Sequence, residues 1–494
     1  MKRHSSLAGA AALGLILAGS FPVLSAGVTP FWKTIRPGPF GVGYAVYHER
    51  DETRAYRPAD DRSATDVQPP RARPIQISVW YPALPVDDAE PLDLVEYSYA
   101  ALSQFDASRE GAVPLEVFVA RTKEALARGG ADERSIDEML RAPAVAVAGA
   151  PPAAGPFPCI VYGTGYESSA WENFVLCEYL ASNGFIVASS PSFGANGVRM
   201  TDAFQDLEAK VRDHEFVIAF AKRLPGADAS RIGAVGWSYG GLSTAILAMR
   251  GRFVDAVACL DGSMAYPAGR AAAERHPDYR PAALEIPFLY CSRKDAERAD
   301  FGFFDELVHA DRLLVEFAGL AHEDFAARPI VSDLCLGGKA APRDAARAIA
   351  GYEEMCRFTL AFFRATLLGD STSAGFDAGK TSGGAAVVRR GKALQEQGGG
   401  ERANAPDPAA GAGFERFAGE YEAEGIVARI EIDGRRLSFR VPGAAPHEYV
   451  HERGRTFRHA KYGDFTLVFL VGTDGAVTGA VSHQGYADFV LKRR

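Results

Sequence analysis

The sequence predicts an α/β protein: a mostly parallel sheet covered by helices on both faces, followed by a small antiparallel β-unit. Three observations carry this. Between residues 158 and 367, short apolar runs alternate with longer amphipathic stretches, the pattern of strands buried on both faces and joined by crossover helices. Residues 369–413 then break the pattern with 11 glycines in 45 positions. From residue 414 the chain turns to short alternating strands separated by Asp433-Gly434, Arg453-Gly454 and Asp474-Gly475. At 494 residues the chain can hold a large core without disulfides or metals.

In order along the chain, Lys2, Arg3 and His4 precede an apolar stretch over 7–21, and Ser25-Ala26 follows with small side chains. This is the pattern of a cleaved export signal over residues 1–26. The apolar stretch is short for a membrane anchor, and no later segment is long and apolar enough to span a bilayer. Residues 54–73 read as a polar loop. Ile75, Ile77, Val79 and Tyr81 alternate as a half-buried strand that ends at Pro82. Residues 85–156 read as an insertion with helices at 117–128 and 135–141. The α/β pattern proper follows: strand 159–162, helix 171–182 closed by Asn183-Gly184, strand 185–188, helix 202–224, strand 231–236 and helix 240–250. Strands 254–260, 287–291 and 312–317, the last of the sheet, precede a closing helix at 345–367. One main domain over 27–368, a flexible linker over 369–413 and a β-domain over 414–494 are expected. The β-domain shows strands at 426–432, 437–441, 448–451, 465–470 and 476–482, and reads as a barrel.

Composition narrows the function classes. Apolar residues at 47% and charged residues at 23% are ordinary for a globular chain. A net charge of −8 with no Lys/Arg cluster gives no footprint for nucleic acid, and anionic membrane surfaces are poor partners. Of six cysteines, Cys159, Cys259 and Cys291 lie inside buried strands, and Cys335 with Cys356 is the one pair considered for a bridge. Metal-ligand spacing is absent. His447 and His451 are four apart, but on a strand they lie about 13 Å from one another, too far to share an ion. No metal or organic cofactor is expected.

The chemistry concentrates at Gly236-Trp237-Ser238-Tyr239-Gly240-Gly241, between a strand and a helix. A serine on so sharp a turn needs glycine on both sides, because the backbone is strained and neighbouring chains pass close. The turn lifts the hydroxyl above the sheet, and the helix N-terminus beneath it favours developing negative charge. Serine needs a base, and the base an orienting acid, in the chain order Ser, Asp or Glu, His. Of His276, His309 and His322, only His322 follows the C-terminal end of a strand. Two acids stand at strand ends, Asp261 and Asp295, and the residues alone leave them level. The oxyanion hole needs the amide of Tyr239 and one from the loop Gly163-Thr164-Gly165-Tyr166. That loop half-matches a dinucleotide fingerprint, but Ser168 replaces the third glycine and no acid follows strand 185–188.

With these residues in place, the chain resembles the α/β-hydrolases of the platelet-activating factor acetylhydrolase type and, more loosely, the dienelactone hydrolase group. The resemblance covers roughly 31–368. It rests on Pro37-Gly38-Pro39-Phe40, Ile77-Ser78-Val79-Trp80-Tyr81-Pro82, residues 180–188, the Gly236-to-Gly241 turn, Leu260-Asp261 and the His322 loop. It implies an exported serine hydrolase acting on a small-molecule carboxylic ester, with short acyl chains and platelet-activating-factor-like phospholipids as candidate substrates. It also implies Asp261 rather than Asp295 as the acid, and Tyr166 and Tyr239 as the oxyanion-hole positions. The family usually carries His and Phe around the nucleophile and His-Gly in the oxyanion loop, where Trp237, Tyr239 and Gly163-Thr164 stand here. From Phe414-Glu415-Arg416-Phe417 the tail is similar to the lipocalin-like β-domains appended to some bacterial serine hydrolases. A serine peptidase of the same fold and a catalytically inactive ligand-binding domain are the alternatives.

Overall fold

The computed structural model describes residues 29–56, 71–86, 89–100, 114–197, 199–201, 203–294, 296–297, 299–336, 345–370, 385–393, 414–423, 426–453, 455–461, 465–471, 476–484 and 488–494. The export signal expected over 1–26 lies outside these residues, as does Asp295. A hairpin opens the described chain, β1 (Gly41–Tyr56) with β2 (Arg71–Ala83). The insertion holds α1 (Leu94–Ala100), α2 (Leu115–Arg128), α3 (Glu133–Leu140) and the short β3 (Val147–Ala148). Then come β4 (Phe157–Gly163), α4 (Phe174–Ser182), β5 (Ile186–Ser190), α5 (Phe204–Ala221), β6 (Ala227–Trp237) and α6 (Tyr239–Arg250). The sheet continues through β7 (Ala256–Leu260), α7 (Pro267–Glu274), β8 (Phe288–Arg293), α8 (Gly302–Glu306) and β9 (Arg312–Phe317). It closes with α9 (Arg328–Cys335), α10 (Ala345–Leu367) and β10 (Ala385–Gly391).

These strands form one ten-stranded sheet in the order β10-β9-β8-β7-β6-β4-β5-β2-β1-β3. From β5 through β9 all neighbours are parallel, while the β1–β2 hairpin joins β5 antiparallel. The order reverses at β4, which lies between β5 and β6, and this is the strand arrangement of the α/β-hydrolase fold. Alternation along the strands builds two cores. Ile160, Tyr162 and Val235 face α4 and α10, where Phe174, Leu180, Tyr352 and Phe363 cover them. Cys159, Val161 and Ala234 face α5 and α6, under Leu207, Val211, Leu242 and Ile246.

Three expectations need correction. Strand 312–317 is not the last of the sheet, because β10 pairs antiparallel with β9. A segment expected to be linker throughout therefore contributes an edge strand. Its apolar run is only four residues long among glycines and arginines, and the pairing surface of β9 supplies what the run lacks. The rest of the expected linker lies outside the described residues. The Cys335–Cys356 bridge does not form: all six cysteines are free and buried. Cys356 is fully enclosed in the α10 core and Cys335 packs at the end of α9, each as a small apolar filler. The long hairpin strand β1 and the short helix α1 were not anticipated, since His48-Glu49-Arg50-Asp51 interrupts the apolar alternation of β1.

The tail forms a closed antiparallel barrel of β11 (Gly419–Ala423), β12 (Ile426–Asp433), β13 (Arg436–Arg440), β14 (His447–Arg453), β15 (Thr456–His459), β16 (Phe465–Val471), β17 (Val477–Gln484) and β18 (Asp488–Arg493). Pairing of β11 with β18 removes the open edge. Tyr421, Ile430, Leu437, Phe457, Leu467 and Phe469 fill it, and Phe414 and Phe417 pack on this core. Five of these strands are expected from the sequence; the other three, β11, β15 and β18, are short or heavily charged. His447 Nδ1 lies 3.1 Å from His459 Nε2, and among the described residues no group of three or more potential ligands gathers around a metal position.

The β10 pairing sets a boundary for truncation. A chain ending at Ala393 is expected to stay monodisperse and to melt as the full chain does. One ending at Asp370 exposes the β9 edge, and gel filtration should show association together with a melting temperature a few degrees lower. Equal behaviour of the two would show that β10 adds nothing to the sheet.

Candidate active site

Ser238, Asp261 and His322 come from three loops at the C-terminal ends of β6, β7 and β9, the edge where open α/β sheets place their sites. Ser238 has φ +56° and ψ −119°, a conformation L residues rarely adopt. It is held by its own amide, which donates to the Leu260 carbonyl at 3.0 Å, and by the Ser263 amide, which donates to the Ser238 carbonyl at 2.9 Å. A β-carbon on Gly236 would collide with the Gly240 backbone, and one on Gly240 with the Gly163 carbonyl. The two glycines thus let the serine turn and the Gly163–Tyr166 loop touch.

His322 sits in a short 3-10 turn, His322–Phe325, with its Nε2 2.8 Å from Ser238 Oγ and its Nδ1 2.6 Å from Asp261 Oδ2. Two contacts fix this turn: the Ala321 amide donates to Asp324 at 2.7 Å, and Trp237 Nε1 donates to the His322 carbonyl at 2.9 Å. Trp237, the residue before Ser238, also lays its ring 5.3 Å from the imidazole. Asp261 is fully buried, has φ +44°, and donates its amide to the Cys291 carbonyl at 2.7 Å.

The sequence reading missed the partners of Asp261. The Tyr266 hydroxyl donates to Asp261 Oδ1 at 2.7 Å, and Arg293 Nε donates to the Tyr266 oxygen at 3.0 Å while lying 3.4 Å from Asp261 Oδ2. Burial and the neighbouring Asp261 carboxylate push the Tyr266 hydroxyl up, so it remains a donor. With an aromatic donor on one oxygen and the imidazole on the other, the carboxylate has one orientation. Tyr266→Phe is expected to lower kcat about tenfold while leaving KM nearly unchanged, since only a neutral donor to the acid is lost; steady-state kinetics on a p-nitrophenyl ester would measure it. Nothing local in the sequence marks Tyr266 or Arg293, which join the site only through the 3-10 turn Ser263–Ala265 after β7 and the end of β8.

Tyr166 and Tyr239 meet edge to face, ring centroids 5.7 Å apart, with Tyr239 buried at the start of α6 and Tyr166 on the surface. The Tyr166 hydroxyl donates to the Met200 carbonyl. Behind their loop, Glu172 Oε1 accepts from the Gly165 amide and the Tyr162 hydroxyl, each at 2.8 Å. Burial pushes the Glu172 carboxyl up to about 7. Lys210 reaches the same loop from α5, donating to Thr164 Oγ1 at 2.9 Å. A signal for Lys210 was present: it interrupts the apolar side of α5 between Leu207 and His214, Val217.

No family model matches the chain, and no curated protein matches it. Among solved structures, the chain is similar to a ferulic acid esterase from Streptomyces cinnamoneus at 21% identity, with a TM-score of 0.49 over 72% of this chain and 98% of that one.

Proposed function

We propose that the protein is an exported serine hydrolase that cleaves carboxylic esters through an acyl-enzyme. The observation that supports this reading is the unbroken hydrogen-bonded chain from Ser238 Oγ through His322 to Asp261, at 2.8 and 2.6 Å, on a turn strained at the serine itself. Ser238 Oγ attacks the ester carbonyl while His322 Nε2 takes its proton. Asp261 holds the imidazole in the tautomer with hydrogen on Nδ1 and stabilises the imidazolium that forms. The amides of Tyr166 and Tyr239 receive the oxyanion. Collapse of the tetrahedral intermediate expels the alcohol with the proton from His322, and water then repeats the sequence on the acyl-Ser238 ester.

The ester class and a short acyl chain follow from the resemblance to the platelet-activating factor acetylhydrolase type, which also suggests short-acyl phospholipids. Export rests on the residue pattern over 1–26, and an accessory binding role for the barrel on its lipocalin-like tail. A series of p-nitrophenyl acetate, butyrate and octanoate beside a short-acyl phospholipid tests the substrate class, with acetate or butyrate expected to be fastest. A peptide amide cleaved as fast as the best ester would contradict the ester assignment and favour a peptidase.

A further inference from the structure

The sheet-facing side of α5 carries a charge that the reaction scheme above does not use. Lys210 is fully buried. Its Nζ donates to Thr164 Oγ1 at 2.9 Å, to the Ser190 carbonyl at 3.0 Å and to the Pro191 carbonyl at 3.1 Å, three neutral acceptors for three hydrogens. Among the described residues no carboxylate forms an ion pair with it. Asp213, one turn along α5, is engaged by Arg54 and Arg73. Burying an ammonium without a paired anion opposes folding, a cost that Met or Leu at this position would not bring.

The place of the charge gives it a use. Thr164 belongs to the loop that presents Tyr166, and the carbonyls of Gly163 and Thr164 press on Gly240 at the start of the nucleophile helix. We propose that Lys210 ties this loop to the sheet and supplies the fixed positive charge that stabilises the oxyanion formed in front of it. A neutral donor would serve for tying the loop. A cation adds long-range attraction for developing negative charge, strongest where water is excluded. The inference deepens the serine hydrolase reading and rests on it.

The surrounding groups set the pH dependence. Facing Lys210 are Asp213 and His214 on α5 itself, Arg73 from β2, and Glu172 from the turn before α4. Burial pushes Lys210 down to about 8 and keeps His214 neutral. Burial raises Glu172 to about 7, with the Lys210 charge among the groups that favour its carboxylate. As pH rises, Glu172 gains a negative charge and Lys210 loses a positive one. Both changes weaken the hold on an oxyanion, so turnover falls on the alkaline side. In Lys210→Met the Lys210 part of the fall is gone, and the part due to Glu172 moves to higher pH because the cation that favours its carboxylate is gone.

The test is kcat of the full chain on p-nitrophenyl acetate across about pH 6 to 10, for wild type, Lys210→Met and Glu172→Gln. Fluorophosphonate labelling of Ser238 in each protein checks that the site is folded. The expected results are an alkaline fall in wild type, its persistence in Glu172→Gln, and a Lys210→Met enzyme that is labelled, about tenfold or more slower at neutral pH with KM little changed, and whose alkaline fall begins at higher pH than in wild type. A labelled wild type with no alkaline fall, or a Lys210→Met enzyme whose fall stays at the wild-type pH or whose kcat matches wild type, overturns the role of Lys210 alone. A wild type that is not labelled at Ser238 overturns the serine reading and the Lys210 role with it.

Discussion

Replacing Ser238 with alanine is expected to cut kcat on the best ester by on the order of a millionfold, the loss that follows removal of a triad nucleophile. The geometry makes this substitution clean. Ser238 holds φ +56° through backbone bonds to Leu260 and Ser263, and these remain when only Oγ is lost. His322 keeps Asp261, Trp237 and its turn, so the melting temperature should stay within a few degrees of wild type. A Ser238→Ala protein that retains a tenth of wild-type kcat would leave the hydrogen-bonded chain without a catalytic part.

The next largest effect is expected at Asp261. Asp261→Asn should lower kcat about ten thousandfold with KM little changed. The buried carboxylate accepts from His322 Nδ1 and the Tyr266 hydroxyl, with Arg293 close by, so every neighbour is a donor. An asparagine must turn its own NH2 toward one of them. Turned toward the imidazole, it stabilises the tautomer with hydrogen on Nε2, which cannot take the Ser238 proton. Asp295→Asn, by comparison, is expected to stay within about tenfold of wild type, because Asp261 already occupies His322 Nδ1. The reverse ranking in steady-state kinetics would show that Asp261 is structural and that the acid lies at 295.

The legible part of this molecule was the part written in local pattern. The parallel strands β4, β5, β7, β8 and β9 are runs with nearly every residue buried, β6 is buried over Ile232–Gly236, and the helices between them carry clear apolar sides, so both were read to within a few residues. The serine turn was legible because a strained φ and two close backbone approaches demand Gly236 and Gly240 at fixed offsets from Ser238. His322 was reachable from its place after β9. The choice between Asp261 and Asp295 was not, because both follow strands and only the fold shows which one meets Nδ1; the family resemblance supplied the choice. Tyr266, Arg293 and Glu172 were invisible for a related reason. Their roles depend on partners many residues away, and an isolated Tyr, Arg or Glu in a loop has no period or spacing. β10 shows the same limit in the fold: a four-residue apolar run becomes a strand only because β9 presents an unpaired edge.

The reading as a serine hydrolase is tested most directly by treating the full chain with a fluorophosphonate and locating the adduct by mass spectrometry, alongside Ser238→Ala. The account predicts one adduct, on the peptide carrying Ser238, formed in step with loss of esterase activity and absent from Ser238→Ala. Esterase activity that persists with Ser238 unmodified, or equal labelling and activity in Ser238→Ala, would contradict it.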